Sequence, residues 1–264
     1  MSALARVAVV GVAGRMGRAI VRLAHEGGVS VVFAVDPGAA GRDVGELAGI
    51  GALGVAASAS FDGLAGSGAQ AVIELASPEA TVLTARAAAS AKVALVSGTT
   101  GLHAAASSAL DEASRATPVL WEPNMSVGVH VLSALVRRAV EALGAGYDIE
   151  IVEAHHGKKA DAPSGTATRL AEVAKQARGA GAYLVHGREG RPGARNPSEI
   201  GVHAVRGGDV VGDHTVMLLG QGERVELSHR ASSRDLFAAG ALRAAAKIHA
   251  LPPGRYTMTD VLGL

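Results

Sequence analysis

The chain has 264 residues, 48% of them hydrophobic and 19% charged, which is enough apolar surface for one large domain or two and too much for a disordered polymer. A formal net charge of +1 supplies no broad positive field for nucleic acid, and no apolar run reaches the roughly 18 residues of a membrane span. The absence of cysteine excludes disulfides, thiolate nucleophiles and cysteine zinc sites.

Residues 1–10 enter a strand pattern at once and leave no room for a signal peptide, so the expected compartment is the cytoplasm. Val7-Ala8-Val9-Val10 is a short apolar run suited to a strand buried on both faces, and it stops at Gly11. A helix follows, with apolar positions at Ile20, Val21, Leu23 and Ala24 and an end at Gly27-Gly28. Residues 31–35 then predict a second buried strand that closes at Asp36, which completes a βαβ unit. Runs at 71–75, 93–96 and 119–121, separated by Ala-rich segments of helical length, extend the unit into a doubly wound parallel sheet of Rossmann type. Residues 1–126 are expected to form this α/β, dinucleotide-binding domain.

A helical stretch at 127–143 precedes a change of pattern, because Ile149, Ile151 and Val152 sit among acidic residues as in a sheet with unlike faces. Further runs at 200–205, 210–211, 215–219 and 224–228 are punctuated by Gly207-Gly208, Gly212-Asp213, Gly220 and Gly222, which predicts antiparallel hairpins. The second domain, 127–233, is therefore expected to be α+β with a mostly antiparallel sheet. Residues 183–197, rich in Gly, Arg and Pro, read as a long loop. Helical periodicity returns at 236–248, and 234–264 is expected to complete the first domain, with hinges near Ser126 and Ser233.

Two stretches carry chemistry. The turn Gly11-Val12-Ala13-Gly14-Arg15-Met16-Gly17 places glycines where backbone approaches a pyrophosphate and where a helix lies close on a strand, with N–H groups at the helix start facing the phosphates. Ala13 stands at the middle glycine of G-x-G-x-x-G, so the turn alone is weak evidence. Asp36, about 20 residues beyond Gly17, adds a carboxylate placed to accept adenosine ribose hydroxyls. Arg15 reads equally as a phosphate contact or a solvated surface group. Asp36 repels a 2′-phosphate while Arg15 and Arg42 offset that repulsion, which leaves NADH and NADPH both open. Ser97-Gly98-Thr99-Thr100-Gly101 and Glu122-Pro123-Asn124-Met125-Ser126 follow later strands, at the carboxyl edge where ligands of open α/β sheets lie. Their backbone groups are candidates to hold the nicotinamide carboxamide, although each loop taken singly reads as well as an ordinary turn.

The second stretch runs from Glu150 to Ala167 and combines two imidazoles, His155 and His156, two ammonium groups, Lys158 and Lys159, and a helix start. Pro163 and Ser164 open a helix carried by Ala167, Leu170, Ala171 and Ala174, so the N–H groups of Gly165 and Thr166 point outward as anion donors. A carboxylate is the natural ligand, Lys159 adds to the attraction, and a dicarboxylate would use both. Adjacent histidines without a partner pattern predict no metal. A polar loop that merely caps a helix remains the plain alternative.

On these residues the sequence resembles the 4-hydroxy-tetrahydrodipicolinate reductase (dihydrodipicolinate reductase) family of the diaminopimelate and lysine pathway. The family signature E-[IV]-x-E-x-H-x-x-x-K-x-D-x-P-S-G-T-A matches Glu150 through Ala167 at every specified position. Further family-like blocks lie around Gly14-Arg15-Met16-Gly17, Gly98 to Gly101, and residues 124–128, 205–215 and 228–234. The resemblance implies transfer of hydride from NADH or NADPH to C4 of a cyclic dicarboxylate imine, with loss of water. It also implies that His155 donates or accepts a proton, that Lys159 donates one, and that His156, Lys159, Ser164, Gly165 and Thr166 hold substrate. These roles are chemically reasonable, since imidazole titrates near neutrality and an ammonium can balance negative charge as hydride arrives. Family likeness implies a homotetramer built through the sheet of the second domain.

The chain departs from the family at three places. Pro37 follows Asp36 where a basic residue is frequent, which tilts the reading toward NADH. Glu74-Leu75-Ala76-Ser77-Pro78 stands where D-F-[ST]-x-P is common, and Glu122 stands where a small residue is usual. Two rivals are a different amino-acid dehydrogenase, acting on aspartate or homoserine, and a nonenzymatic dinucleotide-binding sensor. The first needs another substrate motif; the second leaves His155 and Lys159 dispensable.

Overall fold

A computed structural model describes residues 4–264; residues 1–3, the head of the segment read as entering the first strand, lie outside them. In chain order the elements are β1 (Arg6–Val10), α1 (Arg15–Glu26), β2 (Ser30–Val35), α2 (Val44–Ala48), β3 (Ala71–Glu74), α3 (Pro78–Ala91), β4 (Ala94–Ser97), α4 (Ala104–Ala113) and β5 (Pro118–Trp121). They continue with α5 (Val127–Leu143), β6 (Asp148–His155), α6 (Gly165–Arg178), β7 (Tyr183–His186), β8 (Glu199–Arg206), β9 (Gly212–Leu219), β10 (Arg224–Ala231), α7 (Asp235–Ile248), β11 (Gly254–Tyr256) and α8 (Met258–Leu262). Two compact units result, one running to Ser126 and resuming at Asp235, the other spanning Val127–Arg234. Arg234 falls in the second unit, where its guanidinium lies 3.3 Å from His156 Nε2.

The first unit is built on a parallel sheet of order β11-β5-β4-β3-β1-β2. Its central strands are buried on both faces, so their side chains alternate between two apolar layers. Val7, Val9, Ile73 and Val96 meet α1 and α7, whereas Ala8, Val10, Val72 and Leu95 meet α3 and α4. Winding reverses between β2-β1 and β1-β3, which opens a crevice at the carboxyl ends of β1 and β3. The edge strand β11 is absent from the sequence reading. Its three residues include a glycine and an outward arginine, and only pairing with β5 makes them a strand.

The second unit is a mixed sheet of order β10-β9-β6-β8-β7, antiparallel across β6, β9 and β10 and parallel across β6, β8 and β7. The expected hairpin between β8 and β9 does not form, because β6 lies between them and pairs with both. Residues 210–211, read as a strand, are loop, and Val210 O accepts the His156 N–H at 2.8 Å. The stretch read as a long loop begins with β7, which gains its ladder by parallel pairing with β8.

One face of this sheet carries Ile149, Ile151, Ile200, Val202, Val216 and Leu218 against Leu132, Val136 and Leu170 of α5 and α6. The other face holds Glu150, which accepts from Arg188 at 2.8 and 3.0 Å, Arg195 at 2.9 Å and His203 at 2.7 Å. Burial opposes the Glu150 charge, but those donors bring its carboxyl down to about 2. A Cβ at Gly201 would lie 1.8 Å from Glu150 Oε2, so glycine there makes room for the network.

Candidate active site

At the end of β1 the chain turns through Gly11, whose φ of +72° suits glycine and whose N–H donates to Val35 O at 2.8 Å. A Cβ at Gly11 would meet Ala76 Cβ at 2.9 Å, and one at Gly17 would lie 2.2 Å from Gly11 O. The helix start is thus pressed onto the turn. Gly14 is the N-cap of α1 and no side chain caps it, which leaves the first N–H groups open to an anion. Ala13, in place of a glycine, donates its N–H to Asp36 Oδ2 at 2.9 Å, and Asp36 Oδ1 accepts from Gly38 N at 3.1 Å. The carboxylate at the end of β2 is thereby tied to the turn. Arg18 Nε donates to Ala13 O at 2.8 Å, a brace absent from the sequence reading.

A cavity of about 660 Å³ opens over this corner, lined by Gly11, Gly14, Asp36, Pro37, Phe61 and Leu83 among others. Its size suits a small organic ligand, Gly11 and Gly14 offer backbone without a Cβ on its wall, and the Asp36 carboxylate is among its lining groups, so these residues fit a dinucleotide. Of the remaining turn residues, Val12 is core, Met16 packs against the core and Arg15 is exposed. Only the backbone of Val12 is available to a ligand.

The carboxyl ends of β3, β4 and β5 converge on Glu74, which has no exposed surface. Its Oε2 accepts from Thr81 and Ser97 hydroxyls at 2.8 Å each, and its Oε1 from Thr99 Oγ1 at 2.5 Å and Ala76 N at 2.6 Å. Thr99 O in turn accepts from Trp121 Nε1 at 2.9 Å, and Glu122 N donates to Ser97 O at 3.1 Å. The loops holding Gly98, Thr99 and Thr100 and holding Glu122, Pro123 and Asn124 are therefore joined beneath their tips. The Thr99 hydroxyl is committed to Glu74, Met125 is core, and Thr100 and Pro123 are exposed.

In the second unit, alternation along β6 turns Glu153 and His155 to the same face as Ile149 and Ile151. His155 Nδ1 lies 2.6 Å from Glu153 Oε2. Glu153, with no exposed surface, also receives Arg206 through both terminal nitrogens, at 2.7 and 2.8 Å, and the Ser164 N–H at 3.0 Å. Burial works against its charge, yet these donors hold its carboxyl below the ordinary value. Lys159 Nζ pairs with Asp161 Oδ1 at 2.8 Å, and His156 Nδ1 is buried with no partner among the described residues.

Ser164 caps α6 by accepting the Ala167 N–H at 3.2 Å, so Gly165 and Thr166 open the helix with no acidic residue in its first turn. The Ser164 hydroxyl lies 3.0 Å from Nε2 of His214, whose ring meets His155 edge-on at a centroid separation of 5.2 Å. Burial, reinforced by the neighbouring His155, pushes the His214 imidazole down to about 4, so it stays neutral at physiological pH.

The second unit thus gathers His155, His156, Lys159, Ser164, Gly165 and Thr166 on one strand end, one loop and one helix start. Sequence reasoning gave no role to Glu153, Arg206 or His214. Period-2 alternation places Glu153 with His155, but Arg206 and His214 come from other strands, by register opposite His155 and Glu153.

A Rossmann-type unit with this glycine turn, joined to a second unit presenting imidazole, ammonium and a helix start without acidic residues, defines a pyridine-nucleotide oxidoreductase. Family models described as dihydrodipicolinate reductase, N-terminus and C-terminus, match residues 5–125 and 128–262. The chain belongs to the dihydrodipicolinate reductase family. A 4-hydroxy-tetrahydrodipicolinate reductase of Anaeromyxobacter dehalogenans strain 2CP-1 is 52% identical, over 99% of this chain and 98% of the relative. That of Myxococcus xanthus is 46% identical over 98% and 97%. Among solved structures, a dipicolinate-bound dihydrodipicolinate reductase from Paenisporosarcina sp. TG-14 superposes with a TM-score of 0.76 over 97% of this chain and 98% of its own, at 21% identity, and shares the fold.

Proposed function

We propose that this chain reduces 4-hydroxy-tetrahydrodipicolinate to tetrahydrodipicolinate with NADH or NADPH and releases water, as a cytoplasmic step of diaminopimelate and lysine synthesis. The observation that carries this reading is that His155 and the α6 start meet on the buried Glu153 carboxylate, with Lys159 held beside them through Asp161, whose carbonyl accepts from the Arg206 that pairs with Glu153. When bound, the nicotinamide supplies the hydride. The Gly11 to Met16 turn accepts the pyrophosphate on its N–H groups, Asp36 takes the ribose hydroxyls, and the loops from Gly98 to Thr100 and from Glu122 to Met125 hold the carboxamide. Gly165 and Thr166 N–H groups, the Ser164 turn and Lys159 receive the substrate carboxylates. His156, whose Nδ1 has no partner among the described residues, adds a further polar contact. Lys159 delivers a proton as negative charge develops, and His155 passes a proton through Nε2.

The preferred dinucleotide in this reading is NADH, because Asp36 opposes a 2′-phosphate and Pro37 offers no compensating cation. Asp36→Ala is expected to weaken NADH binding and to spare NADPH; an equal loss for both would contradict the assignment. The reading includes a homotetramer joined through the second sheet, supported by the exposed Val205 on the face turned from α5 and α6, and chain mass in solution tests it. Activity is tested by supplying the condensation product of pyruvate and aspartate semialdehyde with either dinucleotide. Loss of reduced-nicotinamide absorbance is expected, and none with either would overturn the proposal.

A further inference from the structure

We infer that the Glu153–Arg206 ion pair is the positioning element of the proton-handling residues: Glu153 holds His155 with its Nε2 free, and Arg206 ties the Lys159 loop to the same carboxylate. This rests on the roles proposed above for His155 and Lys159. Each oxygen of Glu153 accepts from two donors, Oε1 from Ser164 N and Arg206 Nη2 and Oε2 from His155 Nδ1 and Arg206 Nη1. A carboxylate has about four lone-pair sites, so this one has no capacity left to take a proton from substrate. It acts through the groups it holds.

The first of these is the imidazole. An ionised carboxylate only accepts, so in the neutral ring Nδ1 carries the proton and Nε2 the lone pair, whereas a free imidazole prefers the reverse. The space beside Nε2 is kept by Gly212, where a Cβ would stand 3.0 Å from that nitrogen.

The second is the loop. The Arg206 fork pairs with both Glu153 oxygens and its Nη2 also donates to Asp161 O at 2.7 Å, while the Asp161 side chain holds Lys159 Nζ at 2.8 Å. A planar guanidinium satisfies carboxylate and carbonyl together; an ammonium has no such fork. The third is the helix start, held through the Ser164 N–H. Imidazole, ammonium and anion-binding helix end are all referenced to one buried charge.

Glutamine at 153 would offer one acceptor oxygen to four donors. Arg206 claims that oxygen, the amide NH2 turns toward Nδ1, and the ring proton moves to Nε2. The test is two-bond 1H–15N correlation on the labelled full chain at a pH where the ring is neutral, with the His155 signal assigned by its loss in His155→Gln. The expected wild-type ring has a protonated Nδ1 and a bare Nε2, and Glu153→Gln shifts the population to Nε2–H. Turnover of Glu153→Gln should fall about 10²-fold, the scale of lost acid–base catalysis, with KM for the dinucleotide within about twofold. Arg206→Lys should keep the tautomer, lower turnover about tenfold and raise KM for the dicarboxylate as the Asp161 tie is lost.

A wild-type ring protonated on Nε2 would overturn the inference without any variant having to fold, and so would a tautomer unmoved by Glu153→Gln. If the tautomer behaves as expected while His155→Gln turns over normally, the positioning stands and the proposed role of His155 fails.

Discussion

Glu74 and Glu153 occupy the same kind of place, close to the carboxyl end of a strand with no exposed surface, yet one is held by dipoles and the other by charges. Glu74 is surrounded by three hydroxyls and one backbone N–H, and it clasps together the loops after β3 and β4. Glu153 is surrounded by a guanidinium, an imidazole and one N–H. The difference shows how one residue type serves two ends. Neutral donors tie two loops together, whereas the guanidinium and imidazole around Glu153 suit the proton-handling role proposed for His155 and Lys159.

The same substitution separates the two. Glu153→Gln leaves a partly exposed guanidinium without its anion and should cost about 3 kcal/mol in denaturant unfolding, the low end for a broken buried pair. Glu74→Gln should cost about 1 kcal/mol, because hydroxyls rotate toward other acceptors. A larger loss from Glu74→Gln would break the comparison.

Acid sharpens it between those two effects in size. The His214 imidazole, lowered to about 4, makes the folded state resist a proton that the unfolded chain accepts near its ordinary value. Its stability contribution is complete above about pH 6.5 and is lost as pH falls toward 4, by about 2.5 kcal/mol at pH 4.5. Glu150, lowered to about 2, loses its contribution over a more acidic window, from about 4.5 downward. The second unit should therefore weaken between pH 7 and 4.5, and His214→Gln should flatten the slope above pH 4.5. Equal stability of the wild-type chain at both values would contradict this.

The parallel sheet was legible because strands buried on both faces are continuous apolar runs closed by glycine or aspartate, as at Val10-Gly11 and Val35-Asp36. β7 and β11 were not, since Tyr183–His186 opens a Gly- and Arg-rich stretch and Gly254–Tyr256 has no pattern of its own. The insertion of β6 between β8 and β9 is a long-range pairing that no local turn signal encodes. Site residues followed the same rule. His155, Lys159 and Ser164 to Thr166 are contiguous and could be read together, but Arg206 and His214 reach the site through strand register. The link from Ala13 N to Asp36, which joins turn and carboxylate, likewise appears only in the folded chain.

In the proposed function, residues of the second unit carry the proton chemistry while the glycine turn of the first holds the dinucleotide. Turnover and dinucleotide affinity measured side by side for Lys159→Ala test it most directly. Turnover is expected to fall by roughly 10² or more with dinucleotide affinity unchanged. Wild-type turnover in that variant would contradict it.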